Sequence, residues 1–443
     1  MATKQPKLGV LDRVFVGLLL VIFGGIVLHA PLSVGFSTLF PSAEIVIKSW
    51  KEILLLVATV VGIITVVRRK QAVLLRQPLI LLIAGYALLH LLLLPFEWNG
   101  VLSATAGLLI DLRYLLFFVL VYLAISMYPD LRRTFLKVFV GGALVVLGFA
   151  ILQVTVLPND TLKYIGYGES SIMPYLTVDE NPDYVRISST LRGPNPLGAY
   201  AVIVLTLLIA FGMRGYHGQF KRPMFIVGFL GVGSLVALWA SYSRSALIGA
   251  IFAIVLVLLM TVGRRLSKWA WVSAIVVVMA ISGGLIAARN TDFVSNVILH
   301  ENATTGASVS SNEGHIDSLS DGVNRMVHQP LGGGIGSTGS ASLYSDQPLI
   351  IENQYLFIAH EVGWIGLALF LYISYKIYRR LWQRRKDWLA LGVLASGIGL
   401  ALIGILLPVW VDDTVAIIWC GLAAIALGGL YERSLNKTSK RTA

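Results

Sequence analysis

The sequence predicts an all-α integral membrane protein of about 12 transmembrane helices, with a large, partly helical outer loop between helices 9 and 10. Three observations carry this expectation. Mean hydropathy is +0.79, with 56% hydrophobic and only 13% charged residues, whereas a soluble domain carries about a quarter charged residues. Apolar runs of membrane-crossing length recur along the chain, and Lys and Arg collect in alternate connections between them. The single cysteine, Cys420, lies in an apolar run and leaves no disulfide framework or cysteine metal site. The first apolar run follows Met1–Lys7 without a small-residue cleavage motif, so it reads as a retained helix rather than a signal peptide.

A hydrocarbon core about 30 Å thick takes about 20 apolar residues per helix, because backbone groups left unpaired in lipid are costly. Such runs fall at 11–34, 44–67, 77–95, 102–127, 134–157, 193–213, 222–240, 243–262, 268–288, 352–376, 388–408 and 411–431. With the N-terminus inside, the inner segments hold all but nine of the 35 Lys and Arg. Both termini are therefore expected in the cytoplasm, with the chain in the cytoplasmic (inner) membrane. The net charge of +12 is then a matter of topology, and nucleic-acid binding loses its support. The whole chain, 1–443, reads as one polytopic domain, with 289–351 as a large periplasmic or extracellular loop.

The nine exceptions are Lys48, Lys51, Arg113, Lys163, Arg186, Arg192, Arg244, Arg289 and Arg325. A cation in or beside the membrane usually faces a polar cavity with a partner. Any one of them is explained by an ion pair, for example Arg113 with Asp111 or Glu52; an anionic ligand on the outer side explains the set together. Two outer connections, Pro158–Leu191 and Arg289–Ile351, are much longer than the about 15 residues that usually suffice, which points to function or disorder. Within the second, Ile316, Leu319, Val323, Met326 and Val327 recur at helical spacing.

Four segments carry chemistry. Ser188–Gly198 (SSTLRGPNPLG) turns from loop into helix, with Arg192 just outside and Asn195 between two prolines. An arginine beside a helix N-terminus makes an anion site, and the plainer reading is a turn with an interfacial arginine. Ser241–Ser245 (SYSRS) places Arg244 at the lip of a helical hairpin, where two guanidinium forks could clamp a diphosphate. Gly332–Ser340 (GGGIGSTGS) lets amides approach phosphate but lacks the following Gly-Lys-Ser/Thr of a nucleotide loop; a flexible lid explains it equally well. Glu352–Leu367 opens a helix with Glu352 and Asn353, where a carboxylate is either a cap or a general base. His360 and Glu361 in that helix read as a buried polar contact rather than a catalytic dyad.

At these segments the chain resembles the O-antigen ligase and polymerase family. The order is Leu191-Arg-Gly-Pro-Asn195, then Ser241-x-Ser-Arg244, then the loop ending Pro330-Leu-Gly-x-Gly-x-Gly336, then Asn353-x-Tyr-Leu with Glu361-x-Gly363. Lys51-Glu52 and Asp111-Leu-Arg-Tyr are similar to the family's early helices. The resemblance implies a metal-independent, GT-C-like glycosyltransferase that needs no cofactor. Its donor would be a polyprenyl-diphosphate-linked glycan and its acceptor a glycan or lipid hydroxyl, amid membrane lipids and on the outer face. It further implies that Arg192 and Arg244 bind the diphosphate and that Glu352 and Asn353 lie at the catalytic centre. Glu352 stands where the family typically has His, and Gly314-His315 where it usually has Gly-Arg. The first change keeps a base; the second calls for His315, Arg325 or Arg289 to complete the clamp. Tyr355 is expected to orient the base, and Lys51, Arg113 and Asn195 to line the donor site. Two other classes stay open: a secondary transporter or flippase, which would show two related halves and a midplane site, and a non-catalytic envelope-assembly scaffold.

Overall fold

In the computed structural model, residues 8–178, 180–215, 223–263 and 311–428 are described, together with 287, 291 and 294. The expected helix at 268–288 and the start of the large loop, including Arg289, lie outside the described residues. Eleven of the expected spans are present as helices. α1 (Val10–Gly25) and α2 (His29–Leu39) form the first span across a single 3₁₀ turn, Ile26–Leu28. Short α3 (Glu44–Lys48) leads into α4 (Trp50–Arg68), followed by α5 (Pro78–Leu93), α6 (Val101–Met127) and α7 (Leu131–Thr155). Then come α8 (Pro194–Arg214), α9 (Pro223–Ala240) and α10 (Arg244–Thr261). The large loop carries α11 (Ser311–His328) and the one-turn α12 (Gly339–Ser342); the bundle ends with α13 (Gln354–Gln383), α14 (Trp388–Ile403) and α15 (Asp413–Leu427). Seven helical spans among the described residues are long and apolar enough to cross a membrane, and four shorter apolar helices accompany them. The protein is an all-α multi-pass membrane protein.

The sequence pattern gave no hint of one element. In the 158–191 connection, β1 (Leu176–Val178) pairs antiparallel with β2 (Asn181–Arg186), with Leu176 opposite Arg186 and Thr177 opposite Val185. Arg186 then fastens this hairpin to the bundle. Its Nε donates to the Ser241 carbonyl (2.9 Å) and its Nη2 to Asn195 Oδ1 (2.7 Å).

Between membrane helices, close approach rests on small residues, since lipid offers no hydrophobic contrast. α10 and α14 cross at Gly249 and Gly399, where a methyl group on Gly249 would stand 2.9 Å from the Gly399 carbonyl oxygen. α8 meets both helices, so α8, α10 and α14 form a tight triad. The other half of the core is held by charge. Lys51 Nζ lies 3.1 Å from Glu52 and 3.0 Å from Asp413, and Arg113 Nη1 lies 3.1 Å from Glu52. Arg113 also pairs with Asp413, and His29 Nε2 approaches the same carboxylate at 3.1 Å. Lys51, Glu52 and Arg113 are each at most 6% exposed, so two cations and two carboxylates neutralise one another between α4, α6 and α15.

Removing one member of a buried ionic network leaves the others uncompensated, at about 3–5 kcal/mol. Arg113→Ala should therefore lower the melting temperature in detergent sharply, whereas Lys48→Ala, in an exposed pair with Glu44, should leave it nearly unchanged.

Candidate functional site

A cavity of about 350 Å³ opens where α8, α13 and α15 begin. Its walls are mostly apolar, with Ile351, Phe357, Ile403 and Val409 among the lining residues. The charged groups lining it are Arg192 and Asp412. Three helix N-termini adjoin it; of these, the start of α8 has no side-chain cap, and its partial positive charge favours an anion.

Local sequence explains the arginine. Pro194 occupies the first position of α8, where its missing N–H costs nothing, and Gly193 before it is fully extended. Leu191 is buried and Arg192 exposed, so the preceding turn directs one side chain into the core and the next into the cavity mouth. That turn is fixed from below. The Ser189 N–H donates to Gln153 Oε1 (2.8 Å), and its hydroxyl donates to the Val146 carbonyl on α7 (2.6 Å). Asn195 also lines the cavity, with its Oδ1 holding Arg186.

Asp412 is a residue the sequence reading missed. It caps α15 by accepting the Val415 N–H (2.9 Å). Burial pushes its carboxyl above the usual carboxylate range, as does neighbouring Asp413, while Arg192 and Arg113 oppose the shift. The available signal was the Val411-Asp412-Asp413 stretch: acids at the head of an apolar helix are costly and point to a partner or a site. The two aspartates divide the roles. Asp413 closes the Lys51–Arg113 network, and Asp412 faces the cavity.

The other expected site residues are distributed as follows. Arg244 begins α10, and its segment packs on the first turns of α8: a methyl group on Gly198 would meet Ala246 at 2.7 Å and Ser241 and Ser243 at 3.1 Å. The two arginine-bearing segments are thus neighbours, but Arg244 does not line the cavity. Glu352 stands one residue beyond lining residue Ile351, half-buried, and its backbone N–H donates to Ser318 Oγ on α11 (3.1 Å). The capping role belongs to Asn353, whose Oδ1 accepts the Tyr355 and Leu356 N–H groups and whose Nδ2 donates to the Ile405 carbonyl (2.7 Å). Tyr355 donates its hydroxyl to the Ala401 carbonyl on α14 (2.8 Å), which ties it to helix packing. Lys51 and Arg113 do not reach the cavity; they belong to the ionic network, in which Arg113 pairs with Glu52 as the plainer expectation had it. Arg325 pairs with Asp321 on α11 (2.6 Å), away from the lining. His315 falls in the first turn of α11, with its side chain outside the described residues.

The glycine run has an internal partner. The N–H groups of Gly336 and Thr338 donate to the Glu361 carboxyl oxygens, the latter at 3.0 Å, so these amides are taken by a side chain of the protein itself. The strand of loop also enters the backbone ladder of α13. Gly333 N–H donates to the His360 carbonyl (2.6 Å) and Trp364 N–H to the Pro330 carbonyl (3.0 Å). α13 accordingly kinks at Val362–Gly363, where Gly363 takes φ +66°. The loop is a packed floor beneath the cavity mouth rather than a flexible lid.

Fold and cavity define a multi-pass membrane protein with a largely apolar pocket, carrying Arg192 and Asp412, at the starts of three helices. Residues 229–371, from within α9 to the middle of α13, match the family model described as O-antigen ligase. This is the family whose motifs the sequence resembles, and the match covers about a third of the chain. The match supports glycosyl transfer of the ligase or polymerase type. No curated protein matches the chain.

Gly336 has φ +78°, and a methyl group there would stand 2.1 Å from the Ser103 carbonyl oxygen. Gly336→Ala should therefore unseat the loop from Glu361 and lower thermal stability and yield; Gly141→Ala, which opens onto free space, serves as the neutral control in the same melting assay.

Proposed function

We propose that the protein is a glycosyltransferase that moves a glycan from a polyprenyl diphosphate to an acceptor hydroxyl at the outer face of the cytoplasmic membrane. The observation that supports this most is the joint placement of Arg192 and Asp412 in one largely apolar cavity at three helix N-termini. In the reaction, the acceptor oxygen attacks the anomeric carbon and the bond to the diphosphate oxygen breaks. Polyprenyl diphosphate leaves with the electron pair. Arg192 neutralises it, and Arg244, at the adjoining helix start outside the lining, adds positive potential to the same end of the bundle. The acceptor proton passes to Asp412, whose burial makes it a stronger base than an exposed aspartate. Glu352, one residue outside the lining, orients the acceptor at the mouth, and Asn353 fixes the helix start that carries it. The apolar walls receive the first isoprene units. Orientation follows from the basic connections at the opposite end of the bundle. A transporter would place its site near the midplane, which the position of this cavity among helix starts does not favour.

The test uses purified protein in detergent with a polyprenyl-diphosphate-linked glycan and a panel of hydroxyl acceptors. Arg192→Ala should slow release of polyprenyl diphosphate about 10²–10³-fold, the cost of losing one preorganised charge-stabilising donor. Asp412→Asn should abolish transfer while donor binding persists, and Glu352→Gln should chiefly raise the acceptor KM. Loss on Glu352→Gln with activity retained in Asp412→Asn would move the base to Glu352. Full activity in both Arg192→Ala and Asp412→Asn would remove the proposed site.

A further inference from the structure

At the other end of α13 lies a second cavity, of about 370 Å³, between this helix and α5. It is far from the first: Arg380 follows Asn353 by 27 residues, about 40 Å along a helix at 1.5 Å per residue. Lys376, Arg379 and Arg380 line it from α13, and Pro78, Leu79 and Leu82 line it from the first turns of α5. Among the described residues lining it, none carries a carboxylate. Lys376 and Arg380 are half-buried, and Lys376 Nζ lies 4.7 Å from the centre of the ring of Tyr372, which also lines the groove.

The α5 side adds to the same potential. α5 starts at Pro78, and its N-cap residue Gln77 offers the first-turn amides no side-chain acceptor. An anion in the groove would thus meet three cations and a helix N-terminus together. Beside the basic mouth the surface is apolar: Leu81 on α5 and Leu371 on α13, each next to a lining residue, are 56% and 45% exposed. Basic pockets between transmembrane helices at the end where Lys and Arg collect are suited to anionic lipid headgroups. The volume falls at the lower end of the range typical of small-molecule sites.

We propose that the groove between the start of α5 and the end of α13 is a binding site for the phosphate headgroup of an anionic phospholipid, held by Lys376, Arg379 and Arg380. The acyl chains lie along the exposed leucines of both helices. The site is separate from the glycosyl-transfer cavity and stands whether or not that function holds.

The experiment is native mass spectrometry of the delipidated full-length protein, titrated with phosphatidylglycerol or with phosphatidylcholine of the same acyl chains. Wild type should bind the first phosphatidylglycerol with at least about tenfold preference over phosphatidylcholine. The triple variant Lys376→Gln, Arg379→Gln, Arg380→Gln should lose that preference. Arg133→Gln with Lys137→Gln, exposed cations on α7, should retain it. Should the triple variant not yield folded protein, Arg380→Gln alone should reduce the preference at least threefold. The proposal is overturned by equal loss in the α7 variant or by an unchanged preference in the groove variants. It is also overturned if millimolar inorganic phosphate displaces the lipid completely, which would mark a site for the free ion.

Discussion

Arg113 and Lys51 hold Asp413 and Glu52 inside the bundle, and the position of the last helix depends on that neutralisation. Charges of this kind are tolerated in a membrane protein only when each finds its opposite within contact distance. The pairing joins α4, α6 and α15, helices far apart in sequence. Arg113 also donates from Nη2 to the Val411 carbonyl (2.7 Å), which fixes the chain one residue before Asp412. The carboxylate that faces the cavity is thereby set by the carboxylate that does not. A network that looks purely structural thus determines where the candidate base stands.

Glu361 plays a comparable part on the other wall. Its carboxylate, buried in α13, is satisfied by two amides of the glycine loop, and in return the loop is drawn across the helix at its kink. Asn99, just before α6, and Ser103 on α6 close the contact, donating to the Gly333 carbonyl (3.1 Å) and the Gly336 carbonyl (2.6 Å). Gly339, three residues on from Gly336, lines the cavity. Glu361 and Asp413, which organise the two walls, are thus satisfied internally, and the charged side chains lining the cavity are Arg192 and Asp412.

The two ends of α13 also divide labour by charge. Its start stands among helix N-termini and a carboxylate; its end carries Lys376, Arg379, Arg380, Arg384, Arg385 and Lys386. Arg384 and Arg385 are turned to carbonyl groups, Ala426 and Trp382 respectively. Lys376, Arg379 and Arg380 instead share a groove with the start of α5. The same basic residues that orient a chain in the membrane here also shape a pocket.

Much of the fold was legible in the residues alone. Runs of about 20 apolar residues fix where helices must form, because lipid leaves the backbone no alternative, and eleven of the expected spans stand where the runs place them. Arg192 at the head of α8 was equally legible, since Gly193 and Pro194 specify a helix start in any context. The partners were not. Nothing local separates Asp412 from Asp413, or a glycine loop that receives phosphate from one that receives Glu361. Each of those choices depends on which groups from distant segments arrive within about 3 Å, the range over which a hydrogen bond or ion pair discriminates. The sequence by itself determined the membrane helices and the positions of the charges, through local hydrophobicity and turn chemistry. Only the tertiary structure decided which charges neutralise one another and which are left facing a cavity.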